Sequence, residues 1–181
     1  IDLAVNEVPT APPGERFVYS DINFFLLGHI VARAAGLPLE RYVAERVFGP
    51  LGMTDTGFLP PIERVGRIAP TERCRFLDAW PCKASDVEPL RGVVHDPTAR
   101  RMGGVAGHAG LFSTARDMTR FARMLLGGGA LGPRRVLAPL TVAKMIAPAT
   151  PAGMASARGL GWDIDTSFSG NRGELMPIGS F

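Results

Sequence analysis

Residues 13–24, PGERFVYSDINF, are the stretch on which the expected fold depends. A turn rich in proline and glycine leads into an extended segment that ends at Tyr19, and the polar residues Ser20 and Asp21 follow. Ser and Asp are preferred at helix N-termini because their side-chain oxygens accept the unpaired backbone N–H groups of the first turn. The pattern therefore predicts a helix from about Ile22 to Ala35 that begins directly after a tyrosine.

This predicted helix is apolar on most of its surface. Its large apolar residues are Ile22, Phe24, Phe25, Leu26, Leu27, Ile30 and Val31. A helix that is hydrophobic nearly all round is expected to be buried, so Phe25 and Leu26 are predicted to lie in the core. Gly36 follows the last apolar residues and is expected to end the helix.

Four further elements are predicted downstream. A second helix over residues 39–48 is expected to end at Gly49-Pro50. Thr114 and Asp117 form a capping-box pattern before a helix whose apolar positions have helical spacing: Met118, Phe121, Ala122, Leu125 and Leu126. Phe121 and Leu125 are predicted to be buried. A short helix over residues 139–146 and a strand over residues 159–164 follow.

The middle of the chain and its composition exclude several classes of protein. Residues 57–110 are expected to be long loops with short elements. The net charge is +3, and the basic residues are dispersed, so no nucleic-acid partner is expected. No apolar run approaches the length of a membrane span. Cys74 and Cys82 match no zinc or redox motif; two ordinary thiols are favoured, and a disulfide stays open for an exported protein.

Candidate site residues can be sought first from local patterns alone. The three histidines, His29, His95 and His108, have no metal-ligand spacing, so no metal site is expected. The sequence contains neither a GxSxG nor a Walker A motif. His108 lies in the glycine-rich segment 103–110, where it either closes a tight turn or lines a binding site. Tyr19 and Asp21 likewise form either an ordinary helix start or a pair of polar groups at one edge.

Residues 13–24 resemble the "PG…YSN" signature of class C β-lactamases and the related esterases and DD-peptidases. Further segments are similar to the same family in the same order: residues 27–31, 36–39, 50–56, 107–117 (GHAGLFSTARD) and 159–162. The resemblance thus covers most of residues 12–126 and returns at the last segment. Each segment alone is weak evidence, whereas their order makes the resemblance specific.

The resemblance implies an α+β fold, in which a helical subdomain packs against an antiparallel sheet with flanking helices and the active site lies between them. It also implies covalent serine catalysis with three motifs: Ser-x-x-Lys, Tyr-x-Asn and Lys- or His-Thr-Gly. None of the serines has a lysine three residues later. We therefore expect residues 1–181 to be a single partial domain, incomplete at both ends, with the first motif before Ile1 and the third after Phe181.

The middle motif supplies the expected catalytic residues. The resemblance makes Tyr19 the general acid/base and Asp21 the residue that orients the lysine of the first motif or a substrate group. Aspartate stands where asparagine is commoner, and an ionised carboxylate only accepts hydrogen bonds, which favours an ester or peptide over a β-lactam substrate. His108 and Gly110 are expected to line the substrate cleft. No cofactor or metal is expected.

Two alternatives from other classes stay open at this point. The first is a non-catalytic protein on the same scaffold that binds cell-wall peptides or another ligand, and the second is a structural or interaction module. The expected partner of the hydrolase is a small-molecule or peptide substrate. The sequence leaves the oligomeric state open, and it favours a bacterial cell envelope only weakly over the cytoplasm. By itself, the 181-residue chain is expected to be inactive.

Overall fold

The computed structural model describes residues 1–73, 89–166 and 169. The chain divides into two units, the first made of Ile1–Asn6 and Ser20–Phe121 and the second of Glu7–Tyr19 and Ala122–Phe181. Cys74 and Cys82 lie outside the described residues, and so the question of their pairing stays as the sequence left it.

Helices dominate the described part of the first unit. Its elements are α1 (Asp2–Val5), α2 (Asp21–Ala35), α3 (Leu39–Val43), α4 (Gly49–Leu51), a 3₁₀-helix (Ile62–Arg67), the antiparallel strands β1 (Glu72–Arg73) and β2 (Pro89–Leu90), and α5 (Pro97–Arg101). In the described residues no single helix is long and apolar enough to cross a bilayer. Helix α2 and residues Leu39–Leu51, which are bent by 73° relative to each other, have the length and composition of a broken span only when they are taken together.

Hairpins and two helices make up the described part of the second unit. Helix α6 (Ala115–Leu126) begins in the first unit and ends in the second. The further elements are β3 (Ala130–Leu131), β4 (Arg134–Arg135), α7 (Pro139–Ile146), β5 (Ala157–Arg158) and β6 (Asp163–Asp165). Strand β3 pairs with β4 and β5 with β6, both antiparallel. The bounds predicted for α7 are confirmed.

Helix α2 begins and ends where the sequence predicts it. Ser20 is the N-cap residue with extended backbone, Asp21 is the first helical residue, and Gly36 ends the helix in the left-handed conformation. The expected capping hydrogen bond from a side chain is not made, however, since the Ser20 side chain accepts none of the first-turn N–H groups. The first turn of α2 therefore has no side-chain cap from Ser20.

The prediction that α2 is mostly buried is wrong. Gly28 is its one buried residue, Phe25 and Leu26 are half-buried, and Leu27 and Ile30 are more than half exposed. The reason is that the closest packing of α2 is at Gly28, which has no side chain. A Cβ atom at Gly28 would lie 3.0 Å from the backbone of Gly107, so that contact joins backbone to backbone and leaves the bulky side chains at its margins.

The second predicted helix runs past its expected end. After α3 the chain widens into a π-helical turn, Ala44–Phe48, where the Gly49 N–H donates to the Ala44 carbonyl, and α4 then continues to Gly52. In an α-helix the ring of Pro50 would clash with the carbonyl four residues earlier. Proline also has no backbone N–H, so the hydrogen bond to that carbonyl would be missing. The wider turn, with bonds five residues apart, accommodates the proline, so Gly49-Pro50 does not end the helix.

Helix α6 is capped by only half of the predicted capping box. The Asp117 N–H donates to Thr114 Oγ1 over 3.2 Å, as expected. The Asp117 carboxylate turns to the preceding loop instead, where its Oδ2 accepts the Asp55 N–H and the Thr56 hydroxyl, each at 2.8 Å. Asp117 is 3% exposed, and its hydrogen bonds connect Asp55 and Thr56 to the first turn of α6.

The strand predicted over residues 159–164 is confirmed only at its end, since Asp163 and Ile164 begin β6. Residues 159–162 form the turn between β5 and β6, closed by a hydrogen bond of 2.9 Å from the Gly159 N–H to the Trp162 carbonyl. Glycine is required at position 159 of this turn, because a Cβ atom there would collide with the Met145 carbonyl oxygen. The long loops expected over residues 57–110 are confirmed for the described part.

Among the residues that the structure describes, the buried apolar side chains are few and come from both helices and loops. In the first unit they are Phe48, Leu51, Met53, Leu90, Val94, Ala99 and Ala106, and in the second Met124, Leu125, Val142 and Ile164. Of the two α6 residues predicted to be buried, Leu125 is buried and Phe121 is half-buried.

Leu125 and Leu126 offer a matched test of the α6 packing, because Leu125 is 5% exposed and Leu126 is 79% exposed. We expect Leu125→Ala to lower the free energy of unfolding by roughly 2–5 kcal/mol, the usual cost of a truncated core leucine. Leu126→Ala should change it by less than about 0.5 kcal/mol. Urea unfolding followed by circular dichroism measures both, and equal losses in the two variants would contradict the observed orientation of α6.

Candidate active site

Tyr19 is an accessible side chain of the second unit, 60% exposed. The guanidinium of Arg158 lies 5.6 Å from the centre of the Tyr19 ring and 5.2 Å from that of Phe17. Arg158 also pairs with Asp163, with Nη2 and Oδ2 3.3 Å apart. A cation over an aromatic face stabilises the ring position, so β5 and β6 hold the tyrosine without burying it.

A cluster of three polar side chains lies in the first unit. Asp21, Asp96 and His108 each place one oxygen or nitrogen within 4.8 Å of the others. His108 Nε2 and Asp96 Oδ1 are 2.8 Å apart, and the His108 side chain is 5% exposed. The edge of the His108 imidazole meets the Phe25 ring, with 4.5 Å between the ring centroids.

Asp96 is fixed by its position at the start of α5. Its Oδ1 accepts the Ala99 N–H over 2.6 Å, and Pro97 occupies the first helical position. Aspartate before a proline is a strong signal for a helix start, so this capping role was visible in the sequence. The bond to His108, twelve residues later, was not, because no local pattern links the two residues.

The glycine-rich segment 103–110 holds His108 against α2. A Cβ atom at Gly107 would collide with the Phe24 carbonyl oxygen and lie 3.0 Å from the Gly28 nitrogen, so only glycine allows this contact. Gly110 has a φ of 113°, which side chains rarely tolerate. Of the two interpretations from sequence, a tight turn or the lining of a binding site, the structure favours the turn, because the His108 side chain is only 5% exposed.

The pKa of Asp96 is lower than that of an ordinary aspartate. Burial by itself would raise it, but the Ala99 N–H and His108 both stabilise the ionised carboxylate and outweigh that effect. The charge of His108 and the N–H of Thr98 also lower the pKa of Asp96. Asp96 is therefore an anion that the fold itself maintains.

A cavity of about 790 Å³ lies in the first unit beside this cluster. Gly110 and Asp96 are among its lining residues, while His108 is not among the described residues that line it. Arg64 and Arg67 also line the cavity, and they form ion pairs of 3.2 Å and 3.1 Å with Asp55. A hydrogen bond from Arg67 lowers the pKa of Asp55, so the wall of the cavity carries charges of both signs.

The residues expected in the site are thus distributed over two units. Tyr19 belongs to the second unit, and Asp21, His108 and Gly110 belong to the first. The structure brings Asp21 and His108 together, adds Asp96 to them, and adds Arg158 to Tyr19. The joint action of Tyr19 and Asp21 stays a prediction.

The chain belongs to the beta-lactamase family, whose sequence profile matches residues 2–176. A relative in Escherichia coli (strain K12), to which D-alanyl-D-alanine carboxypeptidase activity is ascribed, is 38% identical over 161 residues, which are 84% of this chain and 36% of that protein. The chain thus spans about a third of the length of this relative.

Solved structures show the same fold. The beta-lactamase/D-alanine carboxypeptidase of Pseudomonas syringae matches 86% of this chain and 37% of its own, with a TM-score of 0.60 and 24% identity. The class C beta-lactamase of Rhodobacter sphaeroides matches 88% of this chain and 40% of its own, with a TM-score of 0.59 and 23% identity. The α+β fold of the β-lactamase and DD-peptidase kind is confirmed.

The low pKa of Asp96 predicts a dependence of stability on pH. A carboxylate whose pKa is depressed by folding adds stability that is present above its unfolded-state pKa, near 3.9, and is lost as the pH falls through the folded-state value. We expect Asp96→Asn to be less stable than the wild type at pH 5–7 and this difference to shrink below about pH 4. Urea unfolding of both proteins across this range tests it; a difference that is the same at every pH would contradict it.

Proposed function

We propose that the protein is a serine hydrolase of the β-lactamase-related type, which cleaves an ester, amide or peptide through an acyl-enzyme. The observation that carries this proposal is the accessible Tyr19, held by Arg158, directly before the helix that presents Asp21. Family membership supports the same reaction. We also propose that residues 1–181 are part of one catalytic domain, to which other parts of the protein supply Ser-x-x-Lys and the Lys- or His-Thr-Gly strand.

In the proposed mechanism the serine hydroxyl attacks the substrate carbonyl. Tyr19 would take part in moving the hydroxyl proton to the leaving group, which departs as an amine or alcohol. Water then attacks the acyl-enzyme, and its proton returns by the same group to the serine. An accessible phenol suits this task, because the Tyr19 hydroxyl must exchange protons with the serine hydroxyl and with the leaving group of the substrate.

Asp21 would act through charge. An ionised carboxylate holds a lysine ammonium more strongly than an amide oxygen does, but it cannot donate to a substrate carbonyl as an asparagine can. This difference favours peptides and esters over β-lactams. The activity ascribed to the E. coli relative points in the same direction, so a peptide that ends in D-alanyl-D-alanine is our preferred substrate.

His108 and Gly110 take different parts in this proposal. Gly110 lines the cavity of the first unit, and it would leave room for a substrate chain. His108 is buried behind Asp96, so it would support the position of Asp21 and the cavity wall. A direct contact between His108 and substrate is thus less favoured than the sequence suggested.

A binding protein without turnover is the second candidate. It is favoured by the cavity of about 790 Å³ in the first unit, which is large enough for a small ligand. The coding sequence upstream of Ile1 separates the two candidates, because a Ser-x-x-Lys motif there supports the hydrolase and a replaced serine or lysine supports the binding protein.

Tyr19→Phe tests the catalytic role in the full-length protein. We expect kcat for a chromogenic ester and for a D-alanyl-D-alanine peptide to fall by roughly 10²–10⁴, the range for loss of a proton-transfer group. KM should change much less, because the ring and its contact with Arg158 are retained. Tyr42→Phe, at a half-buried residue of α3, is the matched control and should keep full activity. Unaltered turnover in Tyr19→Phe would remove Tyr19 from the mechanism.

The 181-residue chain by itself should have no hydrolase activity. Covalent hydrolysis requires a nucleophile and a base in one rigid frame, and no serine of this chain has a lysine three residues later. We expect no turnover of a chromogenic ester or cephalosporin and no covalent labelling by a fluorophosphonate, as measured by intact-protein mass spectrometry. Stoichiometric labelling of any serine in the chain would show that the active site is misplaced.

A further inference from the structure

We propose that the cavity of the first unit binds a carboxylate of a peptide ligand, and that Arg64 and Arg67 are the residues that receive this carboxylate. The inference rests on the proposed function for one point, that the ligand is a peptide. The cavity has a volume of about 790 Å³, which lies within the usual range of ligand sites, roughly 300–1,000 Å³. All of its described lining residues belong to the first unit.

The walls of this cavity are mainly apolar, with Phe58 and Phe112 among the large side chains that line it. In such a site a small number of polar groups determine the orientation and the charge of the ligand. Asp96 also lines the cavity, but its carboxylate already accepts the Ala99 N–H and pairs with His108. The two arginines are therefore the charged groups of the lining that are best able to select a ligand.

Arg64 and Arg67 share a single carboxylate, that of Asp55. Arg64 Nη1 lies 3.2 Å from Asp55 Oδ1, and Arg67 Nη2 lies 3.1 Å from Asp55 Oδ2. A hydrogen bond from Arg67 lowers the pKa of Asp55 most, and the charges of both arginines and of Arg116 act in the same direction. One carboxylate cannot neutralise several guanidinium groups, so positive charge remains for a second anion.

Asp55 also leaves N–H donors of both guanidinium groups unused. A guanidinium group has five N–H donors. Within the described residues, Arg64 donates through Nη1 alone, to the Thr54 carbonyl and to Asp55, while Arg67 donates to Asp55 through Nη1 and Nη2. Both side chains are accessible. A ligand carboxylate can therefore reach the remaining donors, and arginine suits it because two parallel hydrogen bonds can form.

The two arginines are held in place before a ligand arrives. They lie one turn apart on the 3₁₀-helix Ile62–Arg67, and side chains one turn apart on such a helix lie above each other. The ion pairs with Asp55 hold both guanidinium groups at the cavity. Groups that are already ordered lose less conformational entropy when they bind, so Asp55 acts as a support for the carboxylate site.

Binding of three peptides to the full-length protein tests the carboxylate. The protein carries Tyr19→Phe, so that slow turnover does not consume the ligand during titration calorimetry. The first peptide is a pentapeptide that contains one glutamate and ends in D-alanyl-D-alanine with a free C-terminus. The second has an amidated C-terminus, and the third has glutamine in place of the glutamate. At least one change should weaken binding roughly 10-fold or more, the effect of losing a hydrogen bond between charged groups, and it identifies the carboxylate. Equal affinities for all three peptides would overturn the proposal.

The arginines are tested by Arg64→Gln and Arg67→Gln. Each should weaken binding of the first peptide roughly 10-fold or more and leave the affinity for the peptide that lacks the identified carboxylate unchanged. Arg41→Gln is the matched control, because Arg41 forms an exposed ion pair of 2.7 Å with Glu45 and is not among the lining residues. It should bind as the parent does. The inference is wrong if Arg64→Gln and Arg67→Gln also bind the first peptide as tightly as the parent.

Asp55→Asn separates contact with the ligand from a structural role of the ion pairs. This variant keeps the backbone N–H that Asp117 accepts, and it leaves both arginines charged and without a competing carboxylate. We expect its affinity for the first peptide to be equal to or higher than that of the parent, whereas a loss as large as in the arginine variants would overturn the proposal. Far-UV circular dichroism identifies unfolded variants. Arg64→Lys and Arg67→Lys, which keep the charge but lose the paired hydrogen bonds, then replace them and should also bind more weakly.

The proposed function and this inference can fail separately. A full-length wild type that binds the first peptide and never hydrolyses it contradicts the hydrolase, while the affinities of the variants still decide the role of the arginines. A wild type that hydrolyses the peptide with no dependence of binding on Arg64 or Arg67 contradicts this inference alone.

Discussion

The close backbone contact between Gly28 and Gly107 is the constraint on which the first unit depends. A side chain at either position would meet the backbone of the other segment, and at Gly107 it would also collide with the Phe24 carbonyl. The contact brings the glycine-rich segment onto the middle of α2 and thereby places His108 beside Phe25. Since Asp21 begins the same helix, this one contact determines which polar groups can meet at its N-terminal end.

Hydrogen bonds and ion pairs of buried or half-buried carboxylates connect the loops and helices of this unit, which contains no large sheet among its described residues. In the described part of this unit few apolar side chains are buried, and the strands within its long loops have two residues each. Asp117 fastens residues 55 and 56 to α6, Asp96 caps α5 and fastens it to His108, and Asp55 joins Arg64 and Arg67. Each hydrogen bond to an ionised group is stronger than a neutral one, so a loop-rich unit can have a defined structure around its cavity.

Local signals predicted the helices, and tertiary contacts decided what the sequence could not show. Helix α2 begins after Ser20 and ends at Gly36, and α7 has the predicted bounds, because these limits depend on neighbouring residues. The burial of α2 was mispredicted because its apolar surface does not reveal that the packing line runs through a glycine. Asp96 and Arg158 were missed for a related reason: their contacts with His108 and Tyr19 join residues that no helical or strand period connects.

The neighbours of Asp21 determine how its negative charge affects the site. An asparagine there would hold a lysine through its amide oxygen and add no charge to the cluster. The aspartate instead places a second carboxylate within 4.8 Å of Asp96 and His108, which is favourable only when a cation is near. The lysine ammonium of the proposed first motif is such a cation. The departure from the family's asparagine therefore makes position 21 a point where charge, and not hydrogen-bond geometry alone, sets what the site can hold.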